Sequence, residues 1–334
     1  MFLPRFPPGL GAAFWTAATI LVFVEAAMHS DQLVHQYRAV FAAGRAMDKI
    51  VYVEKQSPQI LFLGNSRVDN GIDPKTVTQT MRLKPNSGFN LGVPGANMII
   101  YHGMLTRFAQ QGLLGASGIR SVVIGLDESA FQADDSLGYS VFFADRSALL
   151  NAAQYRIWLG TWARLWAYSG NLRQLHEPEK LLRFLSASVS EIEPVGGGAA
   201  QHLGYRAGFG GGQNQVQLQV QEAGSRQPPD QDVLPFLWLT IDLLKQNGVQ
   251  VYVTFLPMLN RKPLFLDKVL PEAIPYRNVL SELKVRGVEV LDQPMEVFKH
   301  ADFINVGHLN DHGAQRFSTA LGRQLVSQLA IRAN

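Results

Sequence analysis

Ser66 and His308 are the residues whose types and places could do chemistry in this 334-residue chain. Ser66 lies in the stretch Gln59 to Arg67, QILFLGNSR. The apolar run reads as a buried strand, and the serine falls in the turn that ends it. Ligands of open α/β sheets bind at the carboxyl ends of strands, which makes Ser66 a candidate nucleophile. The plain alternative is a turn residue or helix cap. His308 stands in Asn305-Val-Gly-His308-Leu-Asn-Asp-His312-Gly-Ala, just before the last helical stretch. A serine hydroxyl is a weak nucleophile until a base takes its proton, and an imidazole can supply that base. The alternative is a structural hydrogen-bonding histidine. His308 and His312 are spaced i, i+4, which suits a metal, but the glutamate of the zinc-protease pattern and a third ligand are missing. No metal or cofactor is expected.

The elements that would bring Ser66 and His308 together alternate. Strands are expected at Ile60–Gly64, Phe89–Leu91, Arg120–Gly125, Val249–Phe255 and Val288–Leu291. Helices are expected near Asn97–Gln111, Leu234–Gln246, Pro275–Arg286 and His312–Leu329. That is βαβ alternation, hence an α/β fold with a mostly parallel sheet and helices on both faces. Such a sheet gathers strand ends on one edge, so distance along the chain does not keep a serine from a histidine. No G-x-G-x-x-G opens the first helix, which disfavours a nucleotide-binding Rossmann reading.

Residues 1–30 hold an apolar run, Gly9 to Met28, with Glu25 as its single charge. Its length suits a transmembrane anchor; a cleaved signal peptide and a buried core helix are the alternatives. Arg5 before the run places the N-terminus in the cytoplasm, although Arg38, Arg45 and Lys49 on the other flank blunt that rule. Residues 31–55 read as a helical stalk, and 56–334 as the α/β domain. Two segments interrupt that domain. One is a helical insertion, 145–185, with Trp158, Trp162 and Trp166 at i, i+4, i+8. The stripe suits core packing, glycan stacking or contact with a membrane surface. The other is a Gly/Gln-rich loop, 194–232, of a length that is either functional or disordered.

Composition excludes several classes. With 47% hydrophobic residues the chain buries a substantial core. Its net charge of +3 comes from scattered Lys and Arg, so no nucleic-acid partner is expected. The absence of cysteine excludes disulfides, thiolate zinc sites and cysteine nucleophiles.

Four segments together, GNSR at Gly64 to Arg67, NLGVPGAN at Asn90 to Asn97, VVIGLDES at Val122 to Ser129 and NVGHLNDHGA at Asn305 to Ala314, resemble the ordered blocks of the SGNH (GDSL-like) hydrolase superfamily. The nearest flavour is the membrane-anchored branch with the D-alanyl transfer protein of teichoic acid synthesis and the alginate-acetylation proteins. The resemblance implies a flavodoxin-like three-layer α/β/α fold and acyl ester chemistry. It implies Ser66 as nucleophile, His308 as base, and the backbone N–H groups of Ser66 and Gly92 as oxyanion donors. Two positions depart from the family pattern. Asp127 stands where an oxyanion-donating Asn is usual, and an ionised carboxylate cannot donate. Asn305 stands where an Asp usually orients the histidine; an amide orients but stabilises the imidazolium less. Asp127 could pair with Arg67 as a positioning pair, Asp302 could replace Asn305 as orienter, and Asn97 could replace the missing amide donor.

The expected protein is thus a serine-dependent acyltransferase or esterase acting on an envelope polysaccharide, O-acetylated as a first expectation. Its membrane contact is the N-terminal helix, its domain faces the periplasm or outer surface of a bacterial inner membrane, and other polysaccharide-biosynthesis proteins are possible partners. The alternative is an inactive carbohydrate-binding or assembly component of a polysaccharide export system.

Overall fold

The computed structural model describes residues 8–36, 44–133, 138–172, 176–178, 202–208, 210, 227–259, 261–291 and 298–333. Five parallel strands, β1 (Ile60–Gly64), β2 (Gly88–Gly92), β3 (Ser121–Gly125), β4 (Gln250–Thr254) and β5 (Glu289–Leu291), stand in the order β2-β1-β3-β4-β5. This is the flavodoxin-like doubly wound order, whose switch point lies between β1 and β3. A short antiparallel pair, β6 (Phe303–Asn305) and β7 (His308–Leu309), lies apart from the sheet.

The side chains of each central strand alternate between two apolar layers, as the strand period of two requires. Phe62, Val123 and Tyr252 join one layer with α4 (Ser66–Gly71), α5 (Pro74–Thr80) and α13 (Asp311–Ala333). Leu61, Leu63, Val122, Ile124, Val251 and Val253 join the other. That layer is built from α3 (Gly44–Gln56), α6 (Met98–Gln110), α11 (Leu234–Gln246) and α12 (Ile274–Val285). The strands are buried on both faces, which explains their continuous apolar sequence.

Three expectations change. The described parts of the expected stalk, 31–55, do not stand apart: after α2 (Asp31–Gln36), α3 buries Ala46, Met47, Ile50 and Val53 in the main core, and 37–43 lie outside the described residues. The first helix, α1 (Pro8–Met28), is almost wholly exposed, which excludes the core-helix reading; it is long and apolar enough to cross a membrane, as an anchor or a signal sequence is. After α7 (Ser140–Phe143), the expected insertion, 145–185, forms α8 (Arg146–Asn151), α9 (Tyr155–Trp162) and α10 (Arg164–Leu172), and most of its remainder, 173–185, lies outside the described residues. The chain leaves helical geometry at Ala163 (φ −112°, ψ 67°), so the tryptophan stripe does not run along one helix. Trp158 packs against the core, while Trp162 and Trp166 are exposed. Most of the loop 194–232 lies outside the described residues.

Candidate active site at the β1/β3 switch point

Asn65 ends the turn after β1 and caps α4, its Oδ1 accepting from Arg67 N–H at 2.9 Å. A cap that satisfies an orphan N–H starts the helix at the next residue, so Ser66 becomes the first helical residue rather than part of an open turn. The helix is pressed against the strand ends. A Cβ on Gly64 would sit 2.2 Å from Val68 Cγ2, and one on Gly92 would sit 2.4 Å from Asp69 N, so both approaches require glycine. Asn90 stitches α4 to β2, donating through Nδ2 to the carbonyls of Val68 and Ile72 at 2.7 Å each.

His308 Nε2 lies 2.8 Å from Ser66 Oγ, and His308 Nδ1 lies 2.9 Å from Asn305 Oδ1. The chemistry of the donors fixes the tautomer. Asn305 Oδ1 also accepts from the backbone N–H groups of Gly307 and His308, at 3.0 Å each, so this atom is the amide oxygen. An oxygen opposite Nδ1 requires Nδ1–H. Nε2 therefore carries the lone pair and accepts from the Ser66 hydroxyl. Burial, and next the Arg67 guanidinium, push the imidazole down to about 4; the carboxylates of Asp127 and Asp69 pull the other way and are outweighed.

Asp127 follows β3 and is buried. Its carboxylate accepts from Asn65 Nδ2 at 2.6 Å, Ser129 Oγ at 2.6 Å and Ser129 N at 2.8 Å. Arg67 Nε lies 3.6 Å away. Burial alone would raise this carboxyl, but Arg67, Ser129 and Asn65 outweigh it and hold it below its usual value. Asp127 is thus an anion that anchors Asn65 and Arg67. Arg67 also reaches Met258 Sδ at 3.1 Å and Glu128 Oε2 at 3.8 Å.

Three sequence expectations land elsewhere. Asp302 is committed elsewhere, accepting from His312 Nδ1 and from Arg316 Nη1 at 2.5 Å, so among the described residues Asn305 orients the imidazole. His308 and His312 consequently face different partners. Asn97 caps α6, accepting from Ile99 N–H at 3.2 Å, and its amide donates to Gln132 O at 3.0 Å, which commits it away from Ser66. The Gly92 N–H is given to Asn90 Oδ1 at 2.8 Å, so it does not stand ready as an oxyanion donor.

The sequence reading missed several neighbours. Lys49, from α3, is buried with Asp69 of α4 at 2.7 Å and also donates to the Gly92 carbonyl. Arg206, in the described part of the Gly/Gln-rich segment, donates its backbone N–H to Asp69 O at 2.9 Å, and Tyr205 donates to Asp311 Oδ1 at 2.6 Å. The described part of that segment therefore reaches α4 through Arg206 and the start of α13 through Tyr205. Its only sequence signal was the pair Tyr205-Arg206 amid glycine and glutamine.

No protein-family model matches the chain, and no curated protein does. Among solved structures, a GDSL-like lipase from Bacteroides thetaiotaomicron aligns over 83% of this chain and 91% of its own, at 11% identity and a TM-score of 0.33.

Proposed function

We propose that the chain is a serine-dependent ester hydrolase or acyltransferase of the SGNH-like type. The observation that carries this reading is the Ser66 hydroxyl held 2.8 Å from an imidazole whose tautomer Asn305 fixes for proton acceptance. The Ser66 oxygen attacks the acyl carbonyl while its proton passes to His308 Nε2. The tetrahedral oxyanion forms beside the Ser66 N–H, which has no intrahelical acceptor at the first helical position, and close to the Arg67 guanidinium. The imidazolium, disfavoured by burial and by Arg67, passes its proton to the departing alcohol and leaves acyl-Ser66. Water or a sugar hydroxyl then gives its proton to His308 as it attacks the acyl carbonyl, and the imidazolium returns that proton to Ser66 Oγ as the acyl–oxygen bond breaks.

The exposed α1 supports a single membrane span, and Arg5 before it favours the domain on the periplasmic or outer side. An ester-bearing envelope polysaccharide fits that location, with acetyl transfer favoured over hydrolysis by the resemblance to polymer-modifying proteins. A second reading has a specific basis. Asp127 is an anion where a donor is usual, and Gly92 N–H is occupied, both of which suit a site that binds without turning over.

A fluorophosphonate separates the two. The full chain in detergent is expected to gain one covalent adduct on the peptide carrying Ser66, and His308→Ala is expected to lose it. Absence of the adduct, with no ester hydrolysis above Ser66→Ala, would leave the binding reading.

A further inference from the structure

The insertion meets α1 through a reciprocal cap. Glu25, the single charge of the apolar helix, accepts from the first backbone N–H groups of α10, Arg164 and Leu165, at 2.8 Å each. Arg164 returns a bond from Nη1 to the Met28 carbonyl at 2.7 Å, at the end of α1. His29 Nε2, 2.8 Å from Glu25 Oε1 and 3.2 Å from Trp162 O, closes the junction. Each helix end thus satisfies orphan groups of the other, and a carboxylate at a helix N-terminus is favoured by the helix dipole. The junction fixes the insertion at the level of the last turn of α1.

Beside that junction the insertion presents large apolar side chains to the outside. Tyr155 (58% exposed), Leu159 (52%), Trp162 (53%) and Trp166 (55%) form the outer face of α9 and α10. Among the described residues, every exposed Phe, Tyr or Trp lies on α1 or on this insertion, so the exposure is not a scatter over the surface. Trp162 is held in place: Arg146 stacks over its ring at 3.9 Å and also binds the Thr161 carbonyl at 2.7 Å. Contiguous exposed apolar side chains, unlike scattered ones, mark a surface that contacts something.

We propose that this face docks in the headgroup region of the bilayer that α1 crosses, an inference that rests on reading α1 as a membrane span. The dimensions agree. The 21 residues of α1 rise about 31 Å, close to the hydrocarbon thickness of about 30 Å. Glu25 lies within the last turn, so its cap sets α10 at the membrane boundary, where tryptophan and tyrosine are favoured. The insertion then acts as a second, in-plane contact that stops the domain from swinging on a single helix.

The absence of cysteine makes the test direct. Single cysteines are introduced in the full chain as Val22→Cys, Leu159→Cys, Trp166→Cys and, as the water-exposed reference, Val285→Cys. Each is labelled with an environment-sensitive fluorophore and placed in phosphatidylethanolamine/phosphatidylglycerol nanodiscs with or without headgroup-nitroxide lipids. The proposal expects blue-shifted emission at 22, 159 and 166, several-fold nitroxide quenching at 159 and 166, and neither effect at 285. Labels at 159 and 166 as wet as that at 285, with 22 in lipid, overturn the docking and leave the anchor standing. A blue shift at 159 and 166 without lipid quenching means protein covers the face, which also overturns it. A wet label at 22 removes the anchor reading and this proposal together.

Discussion

At the carboxyl edge of the sheet, Asn65, Arg67, Asp69, Asn90, Asp127 and Glu128 are all buried, whereas Leu159, Trp162 and Trp166 on the insertion are more than half exposed. Each region inverts the ordinary sorting of polar and apolar side chains. The inversions differ in what compensates them. Inside, the polar groups are matched to each other: Asn65 to Asp127, Asn90 to α4, Lys49 to Asp69. A buried group without such a partner costs several kcal/mol, so these residues are coupled and hold one geometry. Outside, the apolar side chains cost the folded chain little on their own and gain only from something they contact. Substitutions at the edge of the sheet should therefore change chemistry and stability, and substitutions on the insertion should change location.

The largest expected effect is at the nucleophile. Ser66→Ala should lower kcat/KM on p-nitrophenyl acetate by about 10,000-fold with an unchanged thermal midpoint, and His308→Ala should match it. Equal activity in wild type and Ser66→Ala would mean that the buried cluster is structural only.

Next comes Lys49→Met, which removes the cation 2.7 Å from the Asp69 carboxylate. Breaking a buried pair from one side costs about 3–5 kcal/mol, so thermal unfolding should show a marked loss. Because Lys49 comes from α3 and Asp69 from α4, the same variant should reduce activity by loosening the helix that carries Ser66. A change below about 1 kcal/mol would show that the buried cluster tolerates disruption as a surface does.

The pH profile gives a finer comparison. With its pKa at about 4, His308 is already neutral at pH 5, so kcat/KM should rise with pH through about 4 and be flat above. Asn305→Asp supplies a counter-anion at Nδ1 and should move that limb upward, slowing the enzyme at pH 5 while retaining activity at pH 8. The stability sign follows from the same shift. The unfolded histidine, near 6.5, binds protons that the folded one refuses, so the contribution is full above about 6.5 and is lost as pH falls toward about 4. An acid limb near 6.5 in wild type would mean that neither burial nor the field of Arg67 acts on His308.

The strands, the order of alternation and the Ser66–His308 pair were legible because they rest on local rules. Apolar β-branched runs make buried strands, and a parallel sheet brings their ends together. What the sequence hid was direction. Asn65 is one letter in GNSR, but which way its amide faces depends on Arg67 N–H and Asp127, from two different strand ends. Gly92 has the right place for an oxyanion donor, and only the neighbouring Asn90 side chain shows its N–H to be taken. Glu25 read only as the single charge of an apolar run because its partners, Arg164 and Leu165, are far along the chain. α3 read as part of a stalk because nothing within 31–55 names what its apolar residues pack against, and Lys49 read as a flanking charge because its partner, Asp69, lies beyond that stretch.

The tryptophan stripe contains the smallest effect and the sharpest internal control. Trp158 and Trp162 stack edge to face at 6.2 Å, yet only Trp158 packs against the core. Trp158→Ala should cost on the order of 2 kcal/mol in thermal unfolding, below the value for a fully buried tryptophan because this one is partly exposed. Trp166→Ala removes a ring that is 55% exposed, and its stability change in detergent should stay within about 0.5 kcal/mol. The order should reverse when lipid is the readout. In nanodiscs, Trp166→Ala should weaken contact of the insertion with the bilayer, measured as reduced nitroxide quenching of a label at Leu159→Cys, while the thermal midpoint in detergent is unmoved. If the two tryptophans behave alike in both media, the break at Ala163 does not separate a core face from a membrane face.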